Sequence, residues 1–200
     1  MKTNQFERRF MEIRAVDNEE GKMTIEGYAI MFDQPATHQS GNRKFTETIK
    51  SGALNKTDMK NVPLRYNHND NVMVMARTKN NSLRLIVDEK GLFIQADLID
   101  TQSNRDLYKG IKEGLIDKMS FAFFVADGGD NWNFGETETI REVTNIAKLY
   151  DVSVVDAPFY ESTSVYARSL ELLDGEKRRL DGLHEQINLR KRKIKMKEGK

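Results

Sequence analysis

The stretch from residue 71 to residue 99 limits the fold more than any other part of the chain. It reads NVMVMARTK and then SLRLIVDEKGLFIQADLI, three β-rich runs parted by Asn80 and Asn81 and by the triplet Glu89, Lys90 and Gly91. Short polar breaks of this kind are antiparallel hairpin signals. They commit the middle of the chain to β-structure, with a meander as the simplest topology. Residues 22–32, KMTIEGYAIMF, carry a further strand pattern, interrupted at Gly27 as a bulge or a close-approach glycine would interrupt it.

The remaining elements follow from changes of period. Residues 34–44 hold Pro, Ser, Gly and Asn and read as a loop containing His38, while residues 45–54 read as a strand passing into a turn. Residues 62–70, VPLRYNHND, keep strand character as far as Tyr66, which leaves His68 at a strand end. In residues 100–118 the apolar positions Leu107, Ile111 and Leu115 fall four apart behind a Thr101 or Ser103 cap, so a helix is predicted there. Gly110 inside it suggests the close approach of another backbone. The helix delivers the chain into MSFAFFV; residues 127–136 then form a polar loop or hairpin tip, and TIREVTNI and AKLYDVSVVDAP complete the β-rich body.

The body is expected to span residues 1–168, with a helical tail over 169–200 in which Leu173, Leu180, Ile187 and Ile194 recur every seventh residue. Two hundred residues suit one core. The formal charge of +1 gives no general argument for nucleic acid or membrane. It hides a polar distribution, since the tail has 10 Lys and Arg against 6 Asp and Glu. The terminal RKRKIKMKEGK reads as a solvated helix end, with nucleic acid or an acidic protein surface as the alternative. No cysteine occurs, the N-terminal residues have no signal-peptide core, and no run of 18 uncharged apolar residues is found, so a cytoplasmic setting is expected.

The chemistry is narrowed by what is missing from this list of residues. There is no HExxH, no cysteine cluster and no phosphate-cradling glycine motif, so no metal or nucleotide cofactor is expected. Ser120 is conspicuous at the start of an apolar strand, where an unpartnered hydroxyl costs about 1–3 kcal/mol. It is either a satisfied core hydroxyl or a nucleophile, and a nucleophile needs an imidazole base held by a third group. Of the three histidines, His38, His68 and His184, His68 is the best placed base. A structural or surface role competes for it. For the third member, LYDVSVVDAP offers both Asp151 and Asp156; Asp151 interrupts an apolar run as Ser120 does.

Six boxes, EGYAIMFD, FTETIKSGAL, LRYNHND with MARTK, GLFIQADLIDT, YKGIKEGLIDKMSFAF and LYDVSVVDAPFYESTSVYAR, together resemble the tailed-bacteriophage prohead serine proteases over residues 8 to 168. The resemblance implies an α+β fold similar to herpesvirus assemblin, a mainly antiparallel β-barrel with surrounding helices. It implies His68 as base and Ser120 as nucleophile. Asp151 stands where assemblins place a second histidine, which makes it the choice for orienter. Phe159 and Tyr160 mark the region where oxyanion donors are expected. Ala76 and Ala122 stand where the family often has glycine.

The implied substrates are a scaffold protein or the scaffolding segment of the major capsid protein, and the protease itself, inside proheads assembling in the host cytoplasm. No cofactor, metal, membrane or nucleic acid is implied, and self-association as a dimer belongs to the same expectation. The tail would target scaffold or be removed by self-cleavage. A non-catalytic capsid-assembly module that binds scaffold is the competing reading, and a basic-tailed nucleic-acid binder a weaker one.

Overall fold

The structure is a computed structural model that describes residues 7–16, 22–40, 43–156, 175, 178–179, 181–183 and 185–191. The chain divides into two compact units, Met1–Pro158 and Phe159–Lys200. In the first, the strands run β1 (Glu7–Glu12), β2 (Arg14–Val16), β3 (Met23–Met31), β4 (Pro35–Ser40), β5 (Arg43–Ile49), β6 (Pro63–Tyr66), β7 (Ala76–Arg77), β8 (Leu83–Val87) and β9 (Gly91–Leu98). Helix α1 (Gln102–Lys112) precedes β10 (Lys118–Val125), β11 (Asp130–Phe134), β12 (Glu138–Val143) and β13 (Ile146–Val155). In the second unit the described residues are helical, with Leu183, Ile187 and Leu189 exposed. Leu173, Leu180 and Ile194 of the expected heptad, and the expected boundary at residue 168, lie outside the described residues.

The strands form three sheets, in the orders β1-β10-β13-β6-β7, β2-β3-β9-β8 and β11-β12-β5-β4. Pairing is antiparallel except between β13 and β6 and between β12 and β5. The mainly antiparallel α+β expectation is met, but the described sheets are not closed into a barrel. A barrel needs its last strand bonded to its first, and each sheet here ends on an edge. The meander is likewise replaced: of its three expected runs only β8 and β9 pair with each other, while β7 pairs with β6, and β6 joins β13. Short turn signals specify neighbours along the chain, whereas these partners are set by burial across the core.

Local chemistry accounts for the element ends. At the β8–β9 hairpin the Asp88 carboxylate accepts from the N–H groups of Lys90 and Gly91, at 2.8 and 2.9 Å. Gly91 is required by close approach, since a Cβ there would lie 1.8 Å from the Ile30 carbonyl oxygen on β3. Gly27 is the same kind of contact, a Cβ meeting the Glu12 carbonyl at 2.4 Å, and the bulge in β3 falls between Tyr28 and Ile30. Helix α1 starts at Thr101, whose hydroxyl accepts from the Asn104 N–H. It ends earlier than its apolar period suggests, because Gly114 turns left-handed at φ 71° and leaves Leu115 exposed. At Gly110 the neighbour is the Ile116 side chain and not a backbone.

Two segments read as loops contain strands. Residues 35–40, including His38, pair with β5, with Pro35 on an edge strand where its missing N–H costs nothing. Residues 130–134 pair with β12. The core gathers Ile25, Ile30, Leu64, Leu92, Ile94, Met119, Phe121, Phe123, Val152 and Val154. Strand β10 is buried on both faces from Met119 to Phe123.

Gly91→Ala is expected to cost about 3 kcal/mol or more by forcing β9 away from β3, lowering the melting temperature by about 6–12 °C. Thermal unfolding followed by circular dichroism checks this, and an unchanged midpoint would show that the approach relaxes freely.

Candidate active site

Antiparallel pairing of β10 with β13 sets Ser120 opposite Ser153 and Ala122 opposite Asp151. Directly opposed residues share a sheet face, so three polar side chains, Ser120, Asp151 and Ser153, stand together on one side. Met119, Phe121 and Phe123 alternate to the other side, where the rings of Phe121 and Phe123 stack at 5.4 Å. A bulge between Ala122 and Phe123 leaves Tyr150 without a pairing partner on β10 and completes the placement of Asp151. Strand β6 adds Arg65, in register with Ser153.

The chain leaves β6 through two successive left-handed residues, Asn67 at φ 53° and His68 at φ 52°. For non-glycine residues this costs on the order of 1 kcal/mol each, so something must hold them. The Asn67 N–H donates to the Val154 carbonyl at 2.9 Å and the His68 N–H to the Ser153 hydroxyl at 3.2 Å. Asn67 Nδ2 donates to Asp156 Oδ1 at 3.0 Å, and the Asp156 N–H returns to Asn67 Oδ1 at 3.3 Å. The Tyr66 hydroxyl donates to the other Asp156 oxygen at 2.7 Å. Asp156, the second candidate acid, thus holds the turn and does not meet the imidazole.

The turn aims the His68 ring at both partners proposed from the sequence. His68 Nδ1 lies 2.7 Å from Asp151 Oδ1, and Nε2 lies 2.8 Å from Ser120 Oγ. A carboxylate only accepts, so the proton belongs on Nδ1, and the lone pair of Nε2 is left to accept the Ser120 O–H. His68 and Asp151 side chains are each 3% exposed, and Ser120 is fully buried. An alkoxide-forming hydroxyl, a neutral imidazole and a fixed carboxylate in this order can carry out acyl transfer.

His38 lies on β4, and His184, Phe159 and Tyr160 lie outside the described residues. Ala76 and Ala122 are both buried within strands. Among the described residues no group of three or more His, Cys, Asp or Glu is placed to hold a metal ion.

Two neighbours escaped the sequence reading. Ser153 is fully buried and its hydroxyl lies 3.1 Å from His68 Nδ1; as a polar residue two positions after Asp151 in an apolar strand, it carried the same signal that marked Ser120. Arg65 bonds Asp70 at 2.9 Å, and its buried Nε, without a hydrogen-bond partner, lies 4.0 Å from Asp151 Oδ2. An arginine near a strand end gives no sequence signal of this kind.

Burial, and then the bond to Asp156, push the Tyr66 phenol up to about 12. Its neutral form is favoured by the fold, so its contribution to stability is present below pH ~10 and lost as pH rises towards ~12. Ultraviolet titration of the 6 tyrosines is expected to include a late component near pH 12 from Tyr66, moved towards the ordinary range by Asp156→Ala.

No curated protein and no solved structure matches the chain. A family model described as Caudovirus prohead serine protease matches residues 10–176, which takes in every residue of the hydrogen-bonded cluster. With a serine, an imidazole and a carboxylate joined inside the matched span, the chain belongs to the prohead serine proteases of tailed bacteriophages.

Proposed function

We propose that the chain is a serine endopeptidase that cleaves a scaffold protein, or the scaffolding segment of the major capsid protein, during prohead maturation. The observation that carries this reading is the unbroken run of hydrogen bonds from Ser120 through His68 to Asp151. Membership of a family that serves capsid maturation supports the substrate class and the setting inside assembling proheads. The reading takes the fold as assemblin-like, a likeness supported by the nucleophile lying on a strand and the base just beyond the end of another in the same sheet.

Ser120 Oγ attacks the scissile carbonyl carbon while its proton passes to His68 Nε2. Asp151 stays ionised, accepts the Nδ1–H and stabilises the imidazolium. The tetrahedral oxyanion collapses, the Nε2–H protonates the departing amine, and the acyl group remains on Ser120. Water then repeats the sequence in reverse, giving its proton to Nε2 as it attacks the ester. Since Ser120 is fully buried in the free chain, the site must open as the peptide enters.

Co-expression with the capsid protein it matures is expected to shorten that protein, and neither Ser120→Ala nor His68→Ala is expected to do so. Shortening by both variants equal to that by the unmodified chain would refute the assignment and favour a non-catalytic assembly role. Asp151→Asn should lower turnover by roughly 10³–10⁴-fold with the melting temperature retained, because the amide turns a donor towards the ring or leaves its proton on the wrong nitrogen. The tail over residues 169–200 is assigned to scaffold recruitment. Its deletion should reduce the number of protease molecules per prohead, and unchanged incorporation, measured by mass spectrometry of purified proheads, would remove that role.

A further inference from the structure

We infer that Ser153 is a positioning residue for His68, gripping the backbone and the ring of the same histidine with one hydroxyl; this rests on the reading of His68 as the general base. A serine hydroxyl has two acceptor lone pairs. Here both face His68: the backbone N–H reaches Ser153 Oγ at 3.2 Å, and Nδ1 lies 3.1 Å from the same oxygen. With the proton on Nδ1, the N–H is shared, its shorter branch to Asp151 Oδ1 at 2.7 Å and its longer branch to Ser153.

The placement follows from the sheet. Ser153 is the register partner of Ser120 on β10 and of Arg65 on β6, so it stands between the strand that carries the nucleophile and the strand that launches the base. Strand β6 ends at Tyr66, and the last backbone bond from the turn to a carbonyl of β13 is made by Asn67 to Val154. The next N–H, that of His68, finds no carbonyl and is taken by the Ser153 side chain. A left-handed residue held only from the preceding position could swing its ring; a second anchor on its own N–H removes that freedom. The Nδ1 branch fixes the remaining rotation about the side chain, in the plane that also aims Nε2 at Ser120. Asp151 supplies the charge, and Ser153 supplies the position.

The test uses the full chain and a fluorophosphonate probe, which phosphonylates an activated serine with loss of fluoride; the rate of labelling at Ser120 is read by mass spectrometry. Ser153→Ala is expected to slow labelling about tenfold, the loss of a hydrogen bond made to a catalytic group, without a comparable fall in melting temperature. Ser153→Thr keeps the hydroxyl and Ser153→Val has the shape of threonine without it, so labelling should be faster in the threonine variant than in the valine variant. A packing role would move those two together and leave alanine near the unmodified rate. In ¹⁵N-resolved spectra the His68 Nδ1–H should exchange with solvent at least about fivefold faster in Ser153→Ala. An unchanged labelling rate or unchanged exchange in that variant overturns the inference. Failure of the unmodified chain to label at Ser120 overturns instead the reading of the nucleophile.

Discussion

The register of β10 on β13 is the constraint on which the site depends. Ser120 opposite Ser153 and Ala122 opposite Asp151 bring three polar groups to one face of two strands buried on both sides. A slip of one residue would exchange the faces, sending Ser120 among the core aliphatics and Phe121 into the site. The packing of Met119, Phe121 and Phe123 against the rest of the core makes that slip costly, so buried apolar side chains on the opposite face determine where the hydroxyl stands. The bulge at Ala122 and Phe123 adjusts this register beside Asp151, and a second shift follows between Phe124 and Val125.

Against this fixed pair of strands His68, the proposed base, is presented by a strained turn. Two left-handed residues in succession are tolerated because their N–H groups and side chains are engaged: Asn67 by Val154 and Asp156, His68 by Ser153, Asp151 and Ser120. The strain is local, and the bonds that offset it come from β13 and the residue following it. Arg65 ties the same strand end to Asp70 and places a cation near the far oxygen of Asp151. His68 is therefore supported chiefly by the strand that also carries Asp151, and not by its own.

What was legible in the sequence was mostly local. Alternation and turn residues marked β3, β6, β8, β9, β10 and β13, and the Thr101 cap and the period of Leu107 and Ile111 marked α1, because those signals act over a few residues. Strand partners were not legible: β6 beside β13 joins segments some ninety residues apart, and no local pattern encodes that pairing. Residues 34–44 were misread because their turn-forming composition also suits an edge strand. Ser120, His68 and Asp151 stand out as polar residues in apolar or strand-end positions, and the resemblance links them as one group. Ser153 obeyed the same logic and was passed over, since only the cross-strand register shows that it faces the imidazole. The left-handed pair had a faint signal in Asn67, a residue type that tolerates positive φ.

One further consequence comes from β1, the edge strand paired with β10 over Phe10 and Ser120. With β1 on one flank and β13 on the other, both hydrogen-bonding edges of the strand that carries Ser120 are already taken. An incoming peptide has no vacant edge there on which to be zipped into the sheet, the mode by which many peptide-binding folds hold extended ligands. In the proposed function a peptide is instead laid across the face that bears Ser120 once the site opens. On the proposed protease reading, the scissile bond is then selected by its side chains and by how far a stretch of polypeptide loosens, and not by strand pairing with β10.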